Sequence, residues 1–448
     1  MTAIELAARW LDEPERRSGA PGSRIVPPPP PPPANGIAAR LLLHPVHWPM
    51  TPGADLTDGP EPLIHTEHLV AHRARMGPRP AGGPGLVTVV ADAGLTGHGG
   101  AHVPMALKWR SAARANGLLT VVANGAESEP LSAKDATLIR QRPHLVLDGL
   151  VLAAQSLGAQ RAVVWLHGSD AGTRAVVVHA LSERRGVGEP GPVVEVVSGP
   201  SHYLAGESSA IAQALAGGPA LPTVRRPTTP GAPRTLVHNV ETLARLALLA
   251  QGVPSMGTVL LTVVGPHGRQ VLEVDRGTPM VAALRAAGWP DGAASPGVLL
   301  GGFGGTWASW RDVARAAIDE PALRELGLSL GAGIIAPIPA WACPVAETAA
   351  IAKYLAAMSA RQCGPCLFGL PALAESVQRL ADTTAPRGER KRLAADLDAV
   401  TGRGACHHPD GATRLIGSAL AVFSQHFEGH ARGRACPGHR TLPVPEVD

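Results

Sequence analysis

The sequence predicts an α/β fold in three modules: a domain built on a parallel sheet, a small β-grasp-like (soluble-ligand-binding) domain, and a C-terminal four-helix bundle. Three observations predict it. Short β-branched runs alternate with helical patterns between residues 85 and 254, which is the signature of βαβ units. From Met256 two strand patterns flank a tight turn and are followed by a helix and a further strand. From Pro344 only helical periodicity remains, with brief connections. The chain has 448 residues, more than one core usually organises. The boundaries expected are an extension with a proline-rich linker over 1–84, the α/β domain over 85–254, the β-grasp-like domain over 255–330 and the helical region over 331–448.

In chain order, the run Pro27 to Pro33 has no backbone N–H groups to pair, so it predicts an extended, solvated connector. Residues before Ala34 are expected to be disordered or loosely docked, and order is expected to begin near "GLVTVVADAG" (Gly85 to Gly94), a β-branched run ending in glycine. A glycine-rich loop then leads into a helical pattern. "LLTVVANG", "RAVVWLH" and "PVVEVVSG" read as strands, while "PHLVLDGLVLAAQSLGA" and "GTRAVVVHALSERR" carry apolar residues at helical spacing. Such alternation implies a largely parallel sheet with right-handed crossovers. "GTVLLTVVG" and "QVLEVDRG" form a hairpin pattern. In "TPMVAALRAAG", Thr278 is the expected N-cap and Pro279 the first helical residue, and "PGVLLGGFGG" supplies another strand. The bundle is read from "VAETAAIAKYLAAMSA", "LFGLPALAESVQRLAD", "GERKRLAADLDAVTG" and "ATRLIGSALAVFSQHFEGH".

Lys and Arg total 40 against 36 Asp and Glu, a net charge of +4, and no block of like charge suggests a nucleic-acid arm. No apolar window is long enough to span a bilayer, so no membrane insertion is expected, and the acidic, amphipathic start is unlike a secretory signal. The expectation is a cytoplasmic protein. All five cysteines (Cys343, Cys363, Cys366, Cys406 and Cys436) lie in the last quarter, which fits metal or redox chemistry better than a disulfide framework. "ARQCGPCLFG" reads as half of an iron–sulfur motif, but a cluster normally takes four thiolates.

The glycine-rich loop between a strand and a helix start would place backbone N–H groups and a helix dipole at an anion. Its full form is more specific. "GLTGHGGAHVPMALKW" (Gly94 to Trp109), "NGAESEPLSAKD" (Asn124 to Asp135), "YLAGESSA" (Tyr203 to Ala210) and "HNVETLA" (His238 to Ala244) occur in that order. Together they resemble the flavin- and NADH-binding subunit of respiratory complex I and the related diaphorase subunits of hydrogenases and formate dehydrogenases. The likeness covers roughly residues 85 to 430. It implies an FMN-binding α/β domain, with Gly97, Gly99, Gly100 and Lys108 at the flavin and nucleotide phosphates. It also implies Asn124, Glu127, Ser128, Gly206, Glu207, Asn239 and Thr242 at the flavin, and Glu129 on the nicotinamide side. No catalytic acid or base is expected.

Departures from the resembled pattern matter as much. Val103 stands where an aromatic is usual and His102 where a small residue is; Thr96 and His98 replace an arginine-rich loop; Ser208, His238 and Ala126 replace an acidic residue, an asparagine and an aspartate. Each change removes a stacking face, a charge or a hydrogen bond. FMN is therefore expected to be retained more readily than NADH. In the resembled motif three cysteines run C-x-x-C-x-x-C with a fourth much later; here Cys363, Cys366 and Cys406 match, and the first position is Ala360. The cluster implied is 4Fe–4S, or 3Fe–4S given the missing ligand, with Ser359, Gln362, His407 and His408 nearby in sequence. In an up-and-down bundle Cys343 and Cys436 fall at the opposite end, roughly 20 Å away at ~1.5 Å per helical residue, nearer each other than the cluster. A zinc site of the three cysteines and a histidine is the competing metal reading. Functionally, the expectation is an NADH:acceptor oxidoreductase passing electrons through FMN and the cluster to a ferredoxin-like or other redox subunit. The alternative is a degenerate scaffold or relay subunit without NADH oxidation.

Overall fold

The computed structural model describes residues 40–49, 62–113, 117–223, 233–290 and 295–447. The proline run lies outside these. Among the described residues ten strands occur, β1 (Val46–Pro49), β2 (Leu119–Gly125), β3 (Arg161–His167), β4 (Val194–Gly199), β5 (Arg234–Asn239), β6 (Thr258–Gly265), β7 (Gly268–Asp275), β8 (Val298–Leu300), β9 (Thr306–Ala308) and β10 (Ile334–Pro337). They form a four-stranded sheet of order β4-β3-β2-β5 and a six-stranded sheet of order β1-β7-β6-β10-β8-β9.

The four-stranded sheet is parallel throughout, as the alternation predicts. Its strands are continuous apolar runs because both faces are covered. Val121, Ala123, Val164, Leu166 and Leu236 join one core, while Val122, Val163, Trp165 and Val237 point to the other. The first core is filled by α5 (Pro143–Leu157) and α8 (Val240–Ala250), with α1 (Leu69–Met76), α2 (Leu86–Asp92), α3 (Met105–Ala113), α4 (Lys134–Gln141) and α6 (Ala171–Gly186) around them; α7 (Ser208–Leu215) covers the second. At Gly149 on α5 an added Cβ would lie 1.9 Å from the Leu243 carbonyl oxygen on α8, so glycine sets how closely these helices pack.

Two expectations are corrected here. "GLVTVVADAG" is not a strand but contains the helix α2: Leu86, Val87, Val90 and Ala91 recur at helical spacing against the core, and this periodicity outweighs the β-branched composition. Order also begins earlier than expected, since β1 pairs antiparallel with β7 (Val46 opposite Val271) and α1 packs against α5 and α6. Trp48 in β1 donates its indole N–H to Thr137 Oγ1 at 2.8 Å, which ties the strand to α4.

In the six-stranded sheet β6 and β7 form the expected hairpin, and β10 runs parallel to β6. One face meets α9 (Met280–Ala286), α10 (Trp310–Arg315) and α11 (Glu320–Glu325); the other, through Leu299, Phe303, Trp307, Ile334 and Ala336, meets the C-terminal helices. The cap of α9 is displaced by one residue: Pro279 is the N-cap, and Thr278 instead donates its hydroxyl to Asp275 O at 2.6 Å. The C-terminal portion comprises α12 (Pro344–Ala357), a π-helical turn (Pro365–Gly369), α13 (Leu370–Ala381), α14 (Glu389–Val400), α15 (His408–Val422) and α16 (Ser424–Ala431). The last predicted helix is therefore two, divided at Phe423, whose buried ring packs 5.1 Å from Trp307.

Candidate cofactor site

From β2 the chain moves outward through β3 to β4, then returns to the other side of β2 as β5. The carboxyl ends of β2 and β5 thus form a topological switch point, where open parallel sheets leave a crevice for ligands. Asn124, the penultimate residue of β2, and Asn239, the last of β5, sit directly opposite each other in register. Asn239 caps α8, accepting from Glu241 N at 2.8 Å, and its amide donates to Asp135 Oδ2 at 2.5 Å. Asn124 donates to Gly206 O at 2.8 Å and accepts from Ala126 N at 3.1 Å. Glu207 caps α7, accepting from Ser209 N at 2.7 Å and Ala210 N at 3.1 Å. The N-termini of α4, α7 and α8 consequently converge on one crevice.

The glycine-rich loop lies over that crevice between two helices, α2 and α3, rather than between a strand and a helix as expected. Gly97 N donates to Val103 O at 2.9 Å, and His98 N donates to Thr242 Oγ1 at 2.9 Å. A Cβ on Gly99 would sit 3.5 Å from Asn239 Cβ, and Gly100 takes φ +94°, a conformation glycine adopts without cost. Lys108, on α3, donates to Val237 O at 3.3 Å. His98 Nδ1 is buried without a hydrogen-bond partner. Burial pushes His98 and His238 down to about 3, so neither is cationic at neutral pH. His238 accepts from the Trp109 indole N–H at 3.0 Å and so is committed to the core.

Beneath the loop lies a charge network that sequence reasoning missed. Lys134, 3% exposed, contacts Asp135 Oδ1 at 2.7 Å, Glu241 Oε2 at 2.9 Å and His98 O at 3.4 Å. Arg245 grips Glu241 Oε1 through two nitrogens, at 2.8 and 3.0 Å. Burial opposes ionisation of Glu241, yet the charges of Lys134 and Arg245 hold it far below the usual carboxylate range. Glu127 accepts from Ser132 Oγ and, at 3.2 Å each, from Asp135 N and Ala136 N at the start of α4. Burial and the Asp135 charge raise it to about 7. Ser128 Oγ lies 3.5 Å from Ala126 O. The only sequence signal for Lys134, Asp135 and Glu241 was their place inside the two quoted motifs.

Glu129 points toward the six-stranded sheet. It accepts from Tyr203 O–H at 2.9 Å and Phe303 N at 3.0 Å, and burial lifts it to about 7. Tyr203 continues the path, with ring centroids 5.6 Å from His408 and 5.8 Å from Tyr354. Two residues before His408 is Cys406.

Cys363, Cys366 and Cys406 lie close enough to perturb one another. Burial, then the Cys363 thiol, pushes Cys366 up to about 12, while burial, with Glu207, Cys363 and Asp410 nearby, raises Cys406. Backbone N–H groups of Arg361 and His408 oppose these shifts at Cys366 and Cys406. Arg361, at φ +52°, is a non-glycine residue in the left-handed region immediately before the pair. Neither neighbouring histidine is aimed at the thiols as a ready fourth ligand: His408 Nε2 bonds Leu355 O at 2.8 Å, and His407, 97% exposed, faces Asp410. Ser359 Oγ is turned to Cys366 O at 3.4 Å, and Gln362 is exposed.

A tetrahedral zinc ion needs ligand atoms within about 3.5–3.8 Å of each other, from Zn–S of about 2.3 Å and Zn–N of about 2.0 Å. Among the described residues, the sets of three or more Cys, His, Asp and Glu ligand atoms lying mutually within 4.8 Å do not include this trio. Three gathered thiols are the donor type of an iron–sulfur cluster, and also of a zinc ion. The crevice likewise fits a flavin mononucleotide: a glycine cradle, a lysine, converging helix N-termini and an unpartnered buried imidazole nitrogen surround it.

Comparison with known proteins agrees. Residues 90–248 match the Nuo51 FMN-binding domain, and residues 346–430 match the NADH-ubiquinone oxidoreductase-F iron-sulfur binding region. The chain belongs to the family of complex I flavoprotein subunits and their diaphorase relatives. Within this family it is 26% identical over 391 residues to the second F-type NADH-quinone oxidoreductase chain of Rhizobium meliloti, covering 79% of this chain and 90% of the relative. It is 28% identical over 387 residues to the F-type NADH-quinone oxidoreductase chain of Escherichia coli, covering 77% and 83%. Among solved structures, an NAD+-reducing NiFe hydrogenase in its H2-reduced state superposes with a TM-score of 0.67 at 28% identity, covering 77% of this chain and 62% of the hydrogenase chain. The chain thus spans about three fifths of that hydrogenase polypeptide. FMN and an iron–sulfur cluster are the cofactors of the family's two matched regions. No described helix is long and apolar enough to cross a membrane.

Proposed function

We propose that the chain is a cytoplasmic electron-transfer flavoprotein, moving electrons between a nicotinamide or protein donor and a ferredoxin-like partner through FMN and a cluster with three cysteine ligands. The observation that carries this reading is the continuity of the two sites. Glu207 caps α7 at the flavin crevice and is also among the charges acting on Cys406, and Tyr203 bridges Glu129 to His408. Bound FMN would supply the exchange between two-electron and one-electron chemistry. The residues around it orient and exclude water: Gly97, Gly99 and Gly100 let the backbone approach, and Lys108 offers positive charge to a phosphate. Asn124, Ser128, Gly206, Asn239 and Thr242 line the crevice with groups fixed by their own hydrogen bonds. Leu367 and Phe368, 37% and 71% exposed beside Cys366, offer an apolar contact to a redox partner.

A second reading, a relay or scaffold without NADH oxidation, is favoured by two features. Val103 presents no aromatic face, and Glu129 is already held by Tyr203 and Phe303. Anaerobic absorbance and electron paramagnetic resonance spectra before and after NADH separate the two. Flavin bands that bleach with NADH, with a reduced-cluster signal, support the oxidoreductase. Bleaching by dithionite alone points to a protein donor. A colourless, silent protein after reconstitution with FMN and iron would overturn both electron-transfer versions.

A further inference from the structure

The two cysteines left over by the cofactor site meet each other at the opposite end of the helical region. Cys343 caps α12, and Cys436 follows α16. The ligand atoms of Cys343, His430 and Cys436 all lie within 4.8 Å of one another. His430 Nε2 is 3.6 Å from Cys343 Sγ and 3.2 Å from Cys436 Sγ, and His426 Nδ1 is 3.2 Å from Cys436 Sγ. Around a tetrahedral ion with Zn–S of about 2.3 Å and Zn–N of about 2.0 Å, neighbouring ligand atoms fall about 3.5–3.8 Å apart. The separations of His430 from Cys343 and Cys436 are thus within a few tenths of an ångström of that geometry, while of the two thiols His426 contacts Cys436 alone.

The geometry points to a structural zinc site, with Cys343, Cys436 and His430 as ligands in place and His426, beside Cys436, as the fourth once its ring turns toward the ion. Three further features support it. His426 and His430 stand four residues apart on α16, which puts both rings on one face. The other nitrogen of His430, Nδ1, faces the carbonyls of Leu380 and Ala381 at 3.1 and 3.2 Å. That contact fixes the proton on Nδ1 and leaves the Nε2 lone pair toward the sulfurs, as for metal-ligating histidines. Cys436 N donates to the same Nε2 at 3.0 Å, which agrees with this tautomer but uses the lone pair, so a bound zinc ion would displace that amide contact. Cys343 Sγ accepts from Ala346 N at 3.4 Å, so its position at the start of α12 is fixed.

Four protein ligands leave no open position, so the ion is a clip rather than a catalyst. It holds the segment after α16 against α12, where Cys343 N donates to His439 O at 3.2 Å and Glu347 accepts from Thr441 Oγ1 at 2.8 Å and Leu442 N at 3.2 Å. The site is separate from Cys363, Cys366 and Cys406: the 14 residues of α12 span about 21 Å.

The test is elemental analysis of the full-length protein, with zinc and iron measured in the same sample. Wild type is expected to carry a single zinc per chain. Cys363→Ser is expected to lose iron but keep zinc, whereas Cys436→Ser and His430→Ala lose zinc. Because these variants could misfold, cobalt is also titrated into zinc-stripped wild type, where a saturating thiolate-to-cobalt charge-transfer band at a single equivalent is expected. Wild type without zinc and without that band, zinc retained in Cys436→Ser, or a Cys343–Cys436 disulfide found by peptide mapping of protein purified under reducing conditions would each overturn the proposal.

Discussion

Lys134→Met tests the buried charge network under the glycine-rich loop. The ammonium contacts Asp135 at 2.7 Å and Glu241 at 2.9 Å and is almost wholly buried. Removing one partner of such a pair generally costs about 3–5 kcal/mol. The structure narrows this. Glu241 keeps both Arg245 nitrogens, so the uncompensated group is Asp135, which retains only Asn239 on Oδ2. Asp135 can escape by taking a proton. From an ordinary aspartate value of about 3.9, at about 1.4 kcal/mol per pH unit, that costs about 4 kcal/mol at pH 7 and about 1.5 kcal/mol at pH 5. In the variant the folded state then binds more protons than the unfolded state, so its stability falls as pH rises. Denaturant titrations of both proteins without FMN, followed by tryptophan fluorescence, are expected to give a difference of about 3–4 kcal/mol at pH 7, shrinking to about 1–2 kcal/mol at pH 5. A difference below about 1 kcal/mol at pH 7, or one unchanged with pH, refutes the assignment of Lys134 as counter-charge.

Three further outcomes are expected. Glu129 is raised from 4.5 to about 7, so its contribution to stability is full below about 4.5 and lost as pH rises through about 7. Glu129→Gln keeps an acceptor for Phe303 N and, with its amide N–H facing the Tyr203 oxygen, reverses the Tyr203 hydrogen bond without a titrating group, and should flatten the pH–stability profile in that window; an unchanged profile contradicts the burial argument. In Gly206→Ala the new Cβ would lie 2.8 Å from Ala126 O, forcing the start of α7 away from the end of β2. FMN affinity should fall at least about tenfold, about 1.4 kcal/mol, with an unaltered dissociation constant as the adverse result. Ala360→Cys adds a thiolate three residues before Cys363, and should increase iron per chain and change the paramagnetic spectrum; identical iron content and spectrum would place residue 360 away from the cluster.

The parallel sheet was legible because strands covered on both faces must be continuous apolar runs, as Val121 to Ala123 and Ala162 to Leu166 are. Leu86 to Asp92 misled because its β-branched composition masks a helical repeat carried by only four residues. β1 was missed because four residues that pair with a strand far along the chain leave no periodicity to detect. The glycine-rich loop and the polar ends of β2 and β5 were legible through ordered motifs. The Lys134–Glu241 pair was not, since its partners are 107 residues apart and each alone looks like an ordinary surface charge. Proximity of Cys343 to Cys436 followed from helix direction, but the two histidines entered only once α16 proved separate from α15 and turned its face to both thiols.

The residues retained from the resembled pattern share a property that the replaced ones lack. Asn124 joins the α7 entry to β2, Glu127 satisfies the start of α4, Glu207 and Asn239 cap helices, and Thr242 holds His98 N. Each serves the fold as well as a flavin, so folding alone would keep them. Among the replaced positions, Val103 and Ser208 are exposed, and His238 has been drawn into a core contact with Trp109. Retention therefore does not by itself discriminate a working flavin site from a relic. The discriminating groups are those the fold does not satisfy, and His98 Nδ1, buried and unpartnered beneath the glycine cradle, is one. Leaving such a group unpaired costs about 1–3 kcal/mol, which a bound ligand offering a hydrogen bond would recover. FMN should therefore raise the stability of the wild type by more than that of His98→Phe, whose ring presents no polar atom; equal stabilisation of both would remove His98 from the site.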